Sequence, residues 1–307
     1  MENLKPNLQV RIKDLTFKNP VITASGTFGY GLEYSQFIDL NLLGGITVKG
    51  LSLKPKEGNP PPRIYETPCG MINSIGLQNI GYEAFVKEKL PILRRFNTNI
   101  IVNFFGDSLE EYLELAEKLD STEGVHALEM NISCPNKSSE WRRMGLDPIL
   151  LKKAIREVRK VTKKVLIIKL SPQVTDISEM AKICEDEGAD AVSLINTIPA
   201  MVIDIKTRKS MIGTPTGGLS GPAIRPVAVR AVWEVAQNVS IPIVGMGGIV
   251  SAEDALQFII AGASLVAVGT ANFINPEATV EIIEGIEKFL ISEGIKYINE
   301  LIGTFSQ

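Results

Sequence analysis

With one histidine in 307 residues, His126, the chain has little room for most hydrolytic chemistry. A Ser-His-Asp triad needs an imidazole aimed at its nucleophile, and His126 stands at the entry of an apolar segment, the wrong end for an active site. The same scarcity leaves no His/Cys/carboxylate cluster at metal-ligand spacing, so no catalytic metal is expected. Cysteine is equally sparse. Cys69, Cys134 and Cys184 are far apart, with no C-x-x-C pair and too few for a disulfide framework, which predicts a reducing compartment. Nucleotide signatures are also missing. No Walker A pattern occurs, and Gly245-Met246-Gly247-Gly248-Ile249 has Val250 where a dinucleotide fingerprint needs its last glycine.

Charge and hydropathy exclude further classes. The net charge is −3 and no block of like charge is long enough for a nucleic-acid arm, so no nucleic-acid partner is expected. The amino terminus, Met1-Glu2-Asn3-Leu4-Lys5-Pro6, lacks the basic segment and apolar run of a signal peptide, and a cytoplasmic location is expected. Residues 255–276 are uncharged, but Gln257, Gly262, Ser264, Gly269, Thr270 and Asn272 interrupt them. That pattern predicts a capped helix followed by a buried strand, not a membrane span.

What remains is a soluble composition, 45% hydrophobic and 22% charged, sufficient for one large domain over residues 1–307. Eight short apolar segments rich in β-branched residues read as strands covered on both faces: 21–24, 45–48, 100–102, 126–130, 165–168, 191–195, 243–245 and 264–268. Polar residues or glycines follow each: Ser25, Lys49, Asn103, Asn131, Lys169, Asn196, Gly247-Gly248 and Gly269-Thr270. Amphipathic segments lie between them. Ser108 with Glu111, Asp147-Pro148, Asp176 with Glu179, and Ser251 with Asp254 mark helix starts, and Gly188 and Gly262 mark ends. The apolar stripes predicted are Leu109, Tyr112, Leu113, Ala116 and Leu119 on one helix and Leu151, Ala154, Ile155 and Val158 on the next. The whole predicts a (β/α)8 TIM barrel whose strand ends share one functional rim. Three long rim connections, 51–81, 132–146 and 197–222, are expected to wall the site, the last with a hairpin of 202–205 against 210–212.

The acid–base group must then be something other than histidine. Cys134 follows the fourth strand on a loop stiffened by Pro135, and an ordinary thiol pKa near 8.5 is within reach of general-base work; the alternative is a small buried thiol with no role. Cys69 lacks a strand end to aim it, and Cys184 sits on a helix's inner stripe as core. Lys49 and Lys169, at the ends of apolar strands, require an anion from a ligand or a structural ion pair. Asn73, Asn103, Asn131 and Asn196 offer both donors and acceptors, as the edges of a pyrimidine-like ring require. Gly247-Gly248 and Gly269-Thr270 fall after strands seven and eight, where barrels bind phosphate on bare backbone N–H groups.

Several segments together resemble a known family: Ala24-Ser25-Gly26-Thr27-Phe28-Gly29-Tyr30-Gly31, Val48-Lys49-Gly50, Asn73-Ser74-Ile75-Gly76-Leu77-Gln78-Asn79, Asn131-Ile132-Ser133-Cys134-Pro135-Asn136, Lys169-Leu170-Ser171-Pro172 and Gly217-Gly218-Leu219-Ser220-Gly221. They are similar to the dihydroorotate dehydrogenases of class 1, over nearly the whole chain. Ser25-Gly26-Thr27-Phe28-Gly29 and Glu66-Thr67-Pro68 resemble the B type within that class. The resemblance implies FMN-dependent oxidation of (S)-dihydroorotate to orotate in pyrimidine biosynthesis, with Cys134 taking the C5 proton while C6 passes a hydride to flavin N5. It implies flavin contacts at Ser25, Lys49, Gly50, Asn103, Asn131, Lys169, Ile195, Gly221, Gly247, Gly248, Gly269 and Thr270. It implies substrate contacts at Lys49, Asn73, Ser74, Ile75, Gly76, Leu77, Asn131, Asn196 and Thr197, and both lysines compensating negative charge on the reduced flavin and orotate. For the B type it further implies a homodimer of this chain within a heterotetramer, whose partner subunit carries FAD and a 2Fe-2S cluster and reduces NAD.

The chain itself has neither cluster spacing nor a dinucleotide fold, which agrees with a separate partner. One segment departs from the family pattern. After Asn136, where glycines are usual, Lys137-Ser138-Ser139-Glu140-Trp141-Arg142-Arg143-Met144-Gly145 intervenes in the loop that bears the candidate base. Alternatives are a type A enzyme reducing fumarate, a tRNA-dihydrouridine synthase, disfavoured by the acidic net charge and short carboxyl-terminal segment, and a catalytically silent flavin-binding scaffold. A class 2 membrane enzyme would carry serine at position 134.

Overall fold

The computed structural model describes residues 5–132 and 144–306. Eight parallel strands close into a barrel: β1 (Val21–Thr23), β2 (Gly45–Leu51), β3 (Asn99–Phe104), β4 (Ala127–Asn131), β5 (Val165–Lys169), β6 (Ala191–Leu194), β7 (Ile243–Met246) and β8 (Leu265–Val268). Each pairs with its neighbours in sequence, and β8 pairs with β1 to remove both edges. All eight coincide with the segments read from the sequence to within three residues at either end. At this strand number side chains fill the interior, so β-branched and aliphatic residues on both strand faces are buried between the barrel axis and the helical layer. In β4 and β5 every residue is buried.

The outer layer contains α1 (Leu109–Ser121), α2 (Pro148–Val161), α3 (Ile177–Asp186), α4 (Arg225–Ala236), α5 (Ala252–Ala261) and α6 (Ala278–Glu293). Their starts are chemically specified. The Asp147 carboxylate accepts from the N–H groups of Ile149 and Leu150 at 2.9 and 3.2 Å, and Asp176 accepts from Ser178 and Glu179 at 2.8 and 3.3 Å. Ser108 and Ser251 cap α1 and α5 in the same way. Their acidic partners reach one residue further than a reciprocal capping box: Glu111 accepts from Asp107 N–H and Asp254 from Val250 N–H. The stripe of α2 is buried as read, whereas α1 buries Leu115 in place of Leu113. At 100° per residue Leu113 and Leu115 flank the centre of the four shared residues at about 80° on either side, so helical periodicity alone does not choose between them.

Residues 255–276 hold most of α5, then β8, then a short helix at Ala271–Ile274, and no helix among the described residues is long and apolar enough to cross a membrane. A hairpin of Val10–Ile12 with Leu15–Phe17 covers the amino-terminal strand ends, where Asn99 Nδ2 donates to Thr16 O at 2.9 Å. At the opposite rim the long connections build a second, antiparallel sheet of Ile198–Ala200, Gly217–Ser220, Gly70–Asn73 and Ile64–Thr67, in that order. The expected hairpin is present in shorter form, Ile203–Asp204 against Lys209–Ser210.

Candidate active site

A polar layer interrupts the apolar barrel near its carboxyl-terminal rim. Asn103 on β3 stands in register with Glu129 on β4, and Asn103 Nδ2 donates to Glu129 Oε1 at 2.5 Å. The other carboxylate oxygen accepts from Ser193 Oγ of β6 at 3.3 Å, so the Glu129 side chain reaches past β5 through the barrel interior. Lys169, the last residue of β5, places Nζ 3.7 Å from Glu129 Oε1 and donates to Ser25 Oγ across the mouth at 3.1 Å. Glu129 is 2% exposed and Lys169 5%, and removing one member of a pair buried this deeply typically costs about 3–5 kcal/mol. Asn103 Oδ1 is buried with no hydrogen-bond partner among the described residues.

Lys49 differs from Lys169. It lies inside β2, which runs on to Leu51 through a register shift between Val48 and Leu51 against β3. Its ammonium makes no hydrogen bond or ion pair among the described residues, and burial pushes its pKa below the usual lysine value, with Arg63 adding repulsion and Glu33 opposing it. Of the two alternatives left open for these lysines, a ligand's anion or a structural ion pair, Lys169 has the ion pair. Glu129 already neutralises Lys169, and Lys49 is left as the uncompensated cation of the two.

The glycine-rich ends of β7 and β8 meet the strand Gly217–Ser220. A Cβ added to Gly248 would stand 2.7 Å from Gly221 O and 2.9 Å from Arg225 Cβ, and one added to Gly221 would stand 3.6 Å from Thr270 Cγ2. Thr270 Oγ1 is hydrogen-bonded to Ser220 Oγ at 2.8 Å. Gly221, Gly248 and Thr270 thus form one close-packed backbone surface, with Gly247 and Gly269 as chain neighbours. Gly50 joins Asn103: a Cβ there would lie 2.9 Å from Asn103 Oδ1. Ile195, buried beyond β6, donates its N–H to Met246 O at 3.0 Å.

The 73–77 segment is held from several sides. Asn73 Nδ2 donates to Gly218 O at 3.3 Å, Ser74 Oγ accepts from Asn59 Nδ2 at 2.8 Å and from Thr214 Oγ1 at 2.6 Å, and Ile75 O accepts from Asn59 N–H at 3.0 Å. Gly76 packs on Asn59, and Leu77 O accepts from Asn79 Nδ2 at 3.0 Å. Asn196 Oδ1 accepts from Thr197 N–H at 2.8 Å, and Thr197 packs against Gly218. Asn131 ends β4, its carbonyl accepting from Tyr112 Oη at 2.6 Å. Cys134 and residues 137–143 of the departing segment lie outside the described residues. Cys69 is exposed in the turn between Ile64–Thr67 and Gly70–Asn73, while Cys184 is buried on α3, where burial pushes its thiol far up.

His126 lies at the amino-terminal end, where its Nδ1 accepts from Ile100 N–H at 2.9 Å and burial lowers its pKa. A cleft of about 630 Å³ beside it is lined by Lys18, Arg94, Asn97 and Asn99 among others. Its cations are already engaged, Lys18 with Asn41 O and Asn97 O and Arg94 with Glu123, so this cleft is not the candidate site. Sequence reasoning missed Glu129, Ser193 and Arg63. The signal for Glu129 was a lone carboxylate two residues before Asn131 in an otherwise apolar strand, hence on the same face. Arg63, bonded to Gln78 Oε1 at 2.8 Å and Glu57 O at 3.0 Å, gave no such signal.

Known proteins resemble this chain over nearly its whole length. The family described as Dihydroorotate dehydrogenase matches residues 7–290. A protein of Thermodesulfovibrio yellowstonii named "Dihydroorotate dehydrogenase B (NAD(+)), catalytic subunit" is 78% identical over 302 residues, 98% of this chain and 100% of its own length. Proteins of the same name from Thermoanaerobacter sp. (strain X514) and Pelobacter propionicus are 55% and 54% identical over 97% and 98% of this chain, covering 98% and 99% of their own lengths.

Proposed function

The chain belongs to the dihydroorotate dehydrogenase family, and from that premise we propose that it is the catalytic subunit of an NAD-linked enzyme that oxidises (S)-dihydroorotate to orotate with FMN in the cytoplasm. The observation that carries the reading is the convergence on one rim of the Asn103–Glu129–Lys169 layer and the Gly221–Gly248–Thr270 backbone surface. A flavin nucleotide needs both. Buried Asn103 Oδ1 is an acceptor in want of a donor, such as a ring N–H, and the glycine backbone at Gly247 and Gly248, which packs tightly on Gly221, suits a phosphate bound on backbone N–H groups. Ser25, Lys49, Gly50, Asn103, Asn131, Lys169, Ile195, Gly221, Gly247, Gly248, Gly269 and Thr270 would hold the cofactor.

Bound there, FMN would supply the acceptor for the hydride leaving C6 of dihydroorotate. The chain's own residues do the rest. Cys134, the one thiol in the sequence just after β4, takes the C5 proton. Lys49 compensates the substrate's carboxylate, since its charge is not neutralised within the described protein. Asn73, Ser74, Ile75, Gly76, Leu77, Asn131, Asn196 and Thr197 orient the pyrimidine ring, the 73–77 segment being held by Asn59, Thr214 and Gly218. A partner subunit bearing FAD and a 2Fe-2S cluster would supply the route for electrons to NAD, in a heterotetramer built on a homodimer of this chain. The relatives' printed name, a catalytic subunit linked to NAD, supports that division of labour.

Purified protein loaded with FMN and mixed anaerobically with dihydroorotate tests the reading. The yellow absorbance is expected to bleach, fumarate is expected not to restore it, and NAD is expected to restore it only with the partner present. Absence of bleaching supports the silent scaffold instead, and reoxidation by fumarate supports the type A enzyme.

A further inference from the structure

Glu129 is assigned no part in the reaction as derived so far, yet among the described residues it is the carboxylate that joins Asn103, Lys169 and Ser193 in the polar layer of the barrel. A carboxylate accepts and cannot donate, so its contact with Asn103 at 2.5 Å must use the amide nitrogen. That choice fixes which way the amide points. With Nδ2 taken by Glu129, Oδ1 is the atom left over, and it is the buried acceptor without a partner, beside Gly50. The same carboxylate lies 3.7 Å from Lys169 Nζ and accepts from Ser193 Oγ at 3.3 Å, tying three strands together at one height in the barrel. A buried ion pair is in general no more stabilising than apolar side chains of similar volume, so stability alone does not account for a charge pair in this position. The pair also sets the electrostatics of the rim, because Lys169 with Glu129 sums to zero.

We propose that Glu129 is a positioning residue, which orients the Asn103 amide with its oxygen toward the cofactor and cancels the charge of Lys169, so limiting how strongly the site favours the anionic, reduced flavin over the oxidised one. The proposal rests on the FMN reading given above. Without the carboxylate, Lys169 becomes a second uncompensated cation at the mouth, and a negative charge on the reduced ring gains from it.

The test is the near-isosteric Glu129→Gln substitution in the FMN-loaded protein, with three measurements: the two-electron midpoint potential of the bound flavin, the dissociation constant of oxidised FMN by fluorescence, and the thermal melt of the apoprotein. The variant is expected to favour reduced over oxidised FMN about tenfold more than the wild type does, a rise of about 30 mV for a two-electron couple. A packing role would weaken both redox forms equally and leave the potential where it was, and that result overturns the proposal. Should Glu129→Gln not fold, Glu129→Asp keeps the charge while retracting the carboxylate from Asn103. Weaker FMN binding at an unchanged potential supports the proposal there, and a tenfold redox shift overturns it. Wild-type protein that takes up no FMN removes the functional reading and this inference together. Wild-type protein that binds and bleaches, paired with an unshifted Gln variant, removes this inference alone.

Discussion

Replacing Gly248 by alanine separates the strain of a backbone conformation from crowding of the proposed cofactor cradle. Gly248 has φ +75°, a conformation that costs an alanine roughly 1–2 kcal/mol. Its added Cβ would also stand 2.7 Å from Gly221 O and 2.9 Å from Arg225 Cβ, so the two loops must part by about 0.5 Å or more to reach ordinary contact. Gly294 provides the control. It has a similar φ of +69°, caps α6, and has no atom within 4 Å of an added Cβ. Gly294→Ala is expected to lower stability by about 1–2 kcal/mol, and Gly248→Ala by more, because it adds the contact with Gly221 O. Only Gly248→Ala is expected to weaken FMN, by roughly tenfold or more, equivalent to about 1.4 kcal/mol or more of lost binding. Fluorescence titration of the apoproteins with FMN measures the second quantity and denaturant melts the first. Equal FMN affinity in Gly248→Ala and wild type refutes the assignment of this surface to the phosphate.

Two further outcomes follow from charges in the structure. Lys49→Gln removes the uncompensated ammonium, so the KM for dihydroorotate is expected to rise at least about tenfold while FMN remains bound, as read in steady-state kinetics and the visible spectrum; an unchanged KM assigns the carboxylate to another group. His126 is held below its ordinary value of 6.5 by burial, and its Nδ1 accepts a hydrogen bond that a protonated ring cannot accept. The unfolded chain therefore takes up a proton first as the pH falls, so the stability from neutral His126 is complete above about pH 6.5 and is lost below it, toward the lower folded value. Thermal melts from pH 7.5 to 5.5 are expected to fall more steeply for wild type than for His126→Asn, whose Oδ1 can accept the same bond; parallel curves contradict this.

The barrel was legible because its strands are apolar on both faces and end abruptly in polar residues, a pattern that survives the absence of an alignment. Helix starts were legible from Asp147, Asp176, Ser108 and Ser251, because a cap is a local hydrogen bond between near neighbours in sequence. The rim sheet was not. Its strands come from two connections more than a hundred residues apart, and pairing such as Gly218 with Asn73 leaves no local periodicity. Glu129 was not legible because its partners come from other strands, and only the closed barrel shows that it faces Asn103, Lys169 and Ser193 together. Lys169 and Lys49 looked alike in sequence for the same reason. Their difference lies in partners brought from other strands.

Whether this rim oxidises dihydroorotate with the thiol of Cys134 as base is read from anaerobic stopped-flow bleaching of bound FMN in wild type and Cys134→Ala at neutral pH. The variant is expected to keep its flavin spectrum and bleach about a hundredfold or more slowly, the usual scale for loss of a positioned general base. Bleaching at the wild-type rate would contradict the account.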